Sequence, residues 1–166
     1  MITTENAIYL HIPKTAGIWI QSILRPLVVD FKEHEYLTSP ADKPVFVFIR
    51  NPWAWHLSMY NFMQHGSYHA EPRSRVIAEP LIQALPNATF ESFVYSVNRP
   101  TSNFKKLLGS ILTIQNNIAG NKNHVQNKLL LGWLQSDLSF CQYVYDTYTK
   151  FATQIGKQET VQDDLL

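Results

Sequence analysis

Three groups of residues in this chain have types and spacing that could do chemistry: a lysine in a strand–turn–helix stretch, an arginine with a serine eight residues on, and a histidine between them. The first stretch is Ile8 to Trp19, IYLHIPKTAGIW. An apolar, β-prone run (Ile8, Tyr9, Leu10) leads into a turn at Pro13 to Gly17, and an amphipathic helical pattern follows. Such a layout suits an anion, because turn N–H groups and the exposed N–H groups of a helix's first turn point at one spot. Lys14 adds a mobile positive charge, and Gly17 removes a Cβ where a backbone must come close to a phosphate. This is not the GxxxxGK[ST] loop, because Lys14 precedes the glycine and no glycine opens the turn. Alone, Lys14 would read as a solvated residue of an ordinary loop.

The second stretch is Val45 to Tyr60, VFVFIRNPWAWHLSMY. Val45 to Ile49 is the cleanest strand in the sequence, with Pro44 before it and Arg50 at its end. Asn51 is a good N-cap and Pro52 a good first helical residue, so a helix starts at once and runs to about Gln64. Trp55, Ser58 and Phe62 then share one face, at i, i+3 and i+7. Arg50 and Ser58 are both expected to face the strand-end crevice. A planar guanidinium and a hydroxyl donor suit a phosphate dianion.

The residues HIPKTAG (His11 to Gly17) resemble the 5′-phosphosulfate loop of sulfotransferases that use PAPS (3′-phosphoadenosine 5′-phosphosulfate), and most closely the carbohydrate-type branch. Arg50, Asn51, Pro52, Ser58 and Tyr60 fall on the positions of that family's 3′-phosphate motif. The resemblance covers roughly residues 7–64, and Trp55 stands where many members carry a second arginine. It implies that Lys14 contacts the 5′-phosphate and the bridging oxygen. It also implies that the backbone N–H groups of Thr15, Ala16, Gly17, Ile18 and Trp19 cradle the phosphate, and that Arg50 and Ser58 hold the 3′-phosphate. Ile18 and Trp19 depart from the small hydroxyl residues usual there. The implied activity is transfer of a sulfuryl group from PAPS to a hydroxyl or amine acceptor, a carbohydrate or small molecule, with release of PAP (3′,5′-bisphosphoadenosine).

Sulfuryl transfer also needs a base for the acceptor's proton. Family members use His or Glu, and one branch carries its histidine between the two motifs, where His34 and Glu35 stand here. An ordinary imidazole accepts a proton at neutral pH, so His34 is the expected base, with Glu35 orienting it or replacing it. His11 reads as structural. His56, His65 and His69 follow the second motif, and His124 is distal. No HExxH or paired ligand spacing is present, so no metal is expected.

The elements that must position these residues read as an open parallel α/β sheet flanked by helices, with both motifs at strand C-termini, where ligands of such sheets sit. The resemblance adds that the fold is P-loop-type. Expected elements are a strand at Ala7 to Ile12, a helix from Thr15 to Leu27 ending near Pro26, and a short strand at Val28 to Phe31. Residues 65–88 read as irregular, with helices at Thr89 to Val97, Asn103 to Ile118 and Val125 to Leu134. Phe140 to Phe151 is ambiguous, and the polar tail from Lys157 is expected to fray.

The 166 residues suit a single compact domain, 1–166, with its nucleotide-binding motifs within 7–64 and a mostly helical C-terminal part. A hydrophobic fraction of 45% and a charged fraction of 16% are those of a folded protein. A formal charge of +1 and scattered basic residues give no reason to expect nucleic acid or a membrane as partner. Cys141 is the single cysteine, which excludes an internal disulfide. With no secretory or anchoring stretch, the expected location is cytoplasmic; the oligomeric state stays open. Two rivals remain: a P-loop kinase, disfavoured by the missing GK[ST], and a non-catalytic nucleotide-binding module derived from a sulfotransferase.

Overall fold

Two neighbouring parallel strands carry the two motifs. They are β2 (Ile8–Leu10) and β4 (Val45–Ile49), in register as Ile8 with Val45, Tyr9 with Phe46 and Leu10 with Val47. The structure is a computed structural model and describes residues 1–65, 78–87, 89–119 and 125–160. Three further strands, β1 (Ile2–Thr3), β3 (Asp30–Phe31) and β5 (Gln154–Lys157), complete a five-stranded sheet in the order β3-β1-β2-β4-β5. The chain is therefore mixed α/β, as expected.

The expected all-parallel sheet needs correction at one strand. β5 is parallel to β4, but β1 is antiparallel to both β2 and β3. The cause is local. Only residues 4–7 separate β1 from β2, and so short a link can join antiparallel strands alone. Thr4 closes that link: its Oγ1 donates to Ala7 O and accepts from Ala7 N–H, each at 3.0 Å.

The first helix, α1 (Gly17–Leu24), is shorter than the expected Thr15–Leu27. Ala16 before it has φ 59° and ψ 20°, which is left-handed, so helical backbone can start only at Gly17. At the other end a 3₁₀ turn, Arg25–Leu27, takes over with Pro26 inside it, where the missing N–H breaks the α ladder. Ile20 packs with Ile2, Tyr9 and Phe48, with Leu24 and Phe46 against them. Each such buried apolar side chain contributes about 1.5–3 kcal/mol, which fixes α1 on its sheet.

The chain divides into two compact units, one of residues 1–55 with 144–166, the other of residues 56–143. The sheet and α1 lie in the first. Helix α2 (Pro52–His65) begins in the first and continues into the second. The second unit is helical: α3 (Ala78–Ala84), α4 (Phe90–Asn98), α5 (Ser102–Ala119), α6 (Val125–Leu134) and the start of α7 (Phe140–Thr149). Leu81, Phe93, Leu108, Leu112, Leu130 and Trp133 are buried there. Thr89 caps α4 by accepting the Ser92 N–H at 3.2 Å. Helix α3 lies in the stretch expected to be irregular, with Pro80 tolerated in its first turn. The ambiguous 140–151 segment is helical over Phe140–Thr149. A strand does follow it, as β5, which ends at Lys157, the first residue of the polar tail.

Among the described residues, no helix is long and apolar enough to cross a membrane.

Candidate functional site

The loop between β2 and α1 owes its shape to two left-handed residues, Lys14 (φ 69°) and Ala16 (φ 59°), on either side of Thr15. Neither is glycine, so each position stores about 1–2 kcal/mol of steric strain that its surroundings must hold. Thr15 is fully buried, and its hydroxyl donates to Ile12 O at 2.8 Å. That side chain ties the loop to the strand end, which leaves its backbone as the part that can meet a ligand. The first α-helical bond runs from Ile20 N–H to Ala16 O, 3.1 Å, so the N–H groups of Gly17, Ile18 and Trp19 come before the ladder begins.

Three side chains grip this loop from outside. Arg50, at the end of β4, donates from Nη1 to Lys14 O at 3.4 Å. Trp55 is fully buried and donates from Nε1 to Pro13 O at 2.9 Å. The Trp55 indole thus holds the lysine loop. His34, itself left-handed (φ 51°), lays its ring 4.5 Å from that of His11, with Nδ1 3.4 Å from His11 O. Tyr148 fixes His34 in turn by donating its hydroxyl to His34 O.

Arg50 is held by its backbone as well. The Tyr145 hydroxyl donates to Arg50 O at 2.7 Å and accepts the Arg50 N–H at 3.2 Å. Next along the chain, Asn51 Oδ1 accepts the Trp53 N–H at 3.0 Å, the N-cap expected of it, while Glu159 Oε1 accepts the Asn51 N–H at 2.8 Å. That bond is the main reason the Glu159 carboxyl sits below the usual carboxylate range; the nearby Arg50 charge adds to it.

The electrostatics follow from crowding. Burial, then the Arg50 charge, lowers the Lys14 ammonium below its ordinary value. Burial, then His34, pushes His11 down to about 3, so that ring is neutral at working pH. Gln21 Nε2 donates to His11 Nδ1 at 3.1 Å, so the His11 proton is on Nε2. The space at Gly17 that was expected to admit a phosphate is filled by this ring: a methyl at Gly17 would fall 1.6 Å from His11 Nε2.

The structure brings Lys14, Arg50, His11, His34 and Trp55 to one loop. Ser58 is half-buried on α2 and belongs to the second unit, whereas Arg50 belongs to the first. Beside His34 Nε2, at 3.9 Å, is the carboxylate of Glu33, a neighbour that the sequence did not single out. His56 is buried, with Nε2 3.2 Å from Asn98 Nδ2. His69, His124 and the side chain of His65 lie outside the described residues. The roles of Tyr145 and Tyr148 were missed by sequence reasoning. Both are more than 90 residues from their partners, and no local pattern marks them.

No protein-family model, no curated protein and no solved structure matches this chain.

Proposed function

We propose that this chain is a PAPS-dependent sulfotransferase, cytoplasmic, working on a carbohydrate or small-molecule acceptor. The observation that carries the reading is the Arg50–Lys14 contact. The two motifs, 36 positions apart, deliver their cations to one loop whose backbone alternates into the left-handed region before a helix N-terminus. Alternating backbone of that kind turns successive N–H groups inward and is a general cradle for anions.

The residues fit the cosubstrate's chemistry. Lys14 and the N–H groups of Thr15, Ala16, Gly17, Ile18 and Trp19 would hold the 5′-phosphate. Arg50 would hold the 3′-phosphate. In the reaction the S–O bond to the phosphate breaks as a bond from sulfur to the acceptor oxygen or nitrogen forms. Lys14 and the loop N–H groups stabilise the charge that collects on the leaving phosphate. His34 takes the acceptor's proton. Trp55 and Tyr145 bear no charge in this scheme; they keep the loop and the Arg50 backbone in place, which preorganises the donors.

The test is a comparison of PAP with AMP, which differ by the 3′-phosphate alone. PAP should raise the melting temperature more than AMP does, and Arg50→Ala should erase most of that difference, since a charged hydrogen bond is worth about 1.5–3 kcal/mol. Turnover with labelled PAPS completes it. Equal stabilisation by PAP and AMP in the wild type, with no release of PAP, would sink the reading.

A further inference from the structure

A cavity of about 420 Å³ lies between one face of α1 and the β1–β3 edge of the sheet. Ile18, Gln21, Ser22 and Arg25 line it from the helix side. They recur at i, i+3, i+4 and i+7, which is one helix face, and at 1.5 Å per residue that wall is about 10 Å long. Ile2 from β1, Val28 from the segment leading into β3 and Phe31 from β3 form the opposite side.

The lining is lopsided in polarity. Ile18 is 80% exposed and Phe31 49%, over a buried Ile2. Contiguous apolar surface of this kind marks a binding site more often than bare surface. The two neutral polar side chains are already committed: Gln21 to His11 Nδ1, and the Ser22 hydroxyl to Trp19 O at 2.6 Å. Arg25 is the charged residue of the lining, and its guanidinium makes no hydrogen bond or ion pair among the described residues. A polyhydroxylated ligand would bury hydroxyls here without partners, which is unfavourable. A ligand with an apolar body and one anionic end would satisfy every surface.

We propose that this groove binds an amphipathic organic anion, an alkyl or aryl body about 10 Å long carrying one carboxylate. The body lies against Ile18, Ile2, Val28 and Phe31, and the carboxylate takes the Arg25 fork in a bidentate pair. Ile18 follows Gly17 directly, so the apolar end of the ligand rests beside the lysine loop. The proposal concerns binding alone and does not rest on sulfuryl transfer.

Octanoate and octanol share a chain and differ in charge, so they are the probes. Titrated calorimetrically into the full chain, octanoate should saturate one site, and octanol should bind at least about tenfold more weakly. Arg25→Gln should reduce octanoate to the level of octanol, while Arg25→Lys, which keeps the charge without the fork, should retain part of the difference. Val28→Asp should remove both ligands. Melting curves of the variants, with and without PAP, confirm folding and are independent of the groove. Non-saturable octanoate binding, equal affinities for the two probes, or full octanoate binding by a folded Arg25→Gln protein overturns the proposal. So does a wild-type dimer that Val28→Asp makes monomeric, because a second copy would then be the occupant.

Discussion

The ring of His11 occupies the space that a side chain at Gly17 would need, with Nε2 1.6 Å from where a methyl would sit. That ring cannot swing aside cheaply. It is buried, hydrogen-bonded to Gln21, stacked with Tyr9 at 6.2 Å and in tilted contact with His34 at 4.5 Å. Gly17→Ala should therefore destabilise the protein by about 1–3 kcal/mol, the usual range for overpacking. Adding His11→Ala opens the space again, so the double variant should be more stable than the two single losses predict. Urea melts of the four proteins measure the coupling, expected between about 0.5 and 3 kcal/mol. Additive losses would show that the ring and the glycine do not oppose each other.

The same histidine makes stability depend on acid. Its folded-state value of about 3 lies below the ordinary 6.5, so the unfolded chain takes up the proton first as pH falls. The stabilisation is complete above about pH 6.5 and is lost progressively as pH drops towards 3, by on the order of 5 kcal/mol at most. Denaturant midpoints between pH 7 and pH 4 should fall in the wild type. His11→Asn cannot titrate and should lose that share of the slope.

Lys14→Ala tests the loop cation. Alanine at 14 inherits the same left-handed strain, so the comparison isolates the ammonium. Turnover with labelled PAPS should drop by about a hundredfold or more, with the melting temperature nearly unchanged. An unchanged rate would remove Lys14 from the reaction.

His34→Ala should lower kcat sharply and leave PAP binding nearly intact, because the ring meets the loop from the side of His11. A Glu33→Gln variant separates the base from its neighbour: it should shift the pH profile of the rate without abolishing turnover. If His34→Ala keeps its rate, another group takes the proton.

Much of the motif-bearing half was legible because its signals are local. The apolar run ending at Arg50, the Asn51–Pro52 helix start and the turn from Pro13 to Gly17 each depend on neighbours in sequence, and β4, α2 and the lysine loop lie where those signals put them. Of the sheet's outer strands, β3 falls within the expected Val28 to Phe31, whereas β1 and β5 were not legible. Ile2–Thr3 is too short to show a period, and β5 is mostly exposed edge strand that owes its existence to β4. The late start of α1 follows from a left-handed alanine, which composition cannot announce. The site's supports were hidden for the same reason: the hydroxyls of Tyr145 and Tyr148 and the indole of Trp55 act across long stretches of chain.

β5 binds a late stretch of the chain to β4, a hundred residues or so earlier, by parallel pairing from Phe46–Gln154 to Ile49–Lys157. The unit that holds the sheet is discontinuous, while residues 56–143 form a continuous unit of their own. During synthesis those middle residues can fold while the β4 edge still lacks its neighbour. Until Gln154–Lys157 emerge, β4 exposes an unpaired run of Val, Phe and Ile backbone, the kind of edge to which another chain adds. The time between making Ile49 and making Lys157 is thus the interval in which this protein is most open to aggregation, and at about 5–20 residues per second it lasts roughly 5–20 seconds.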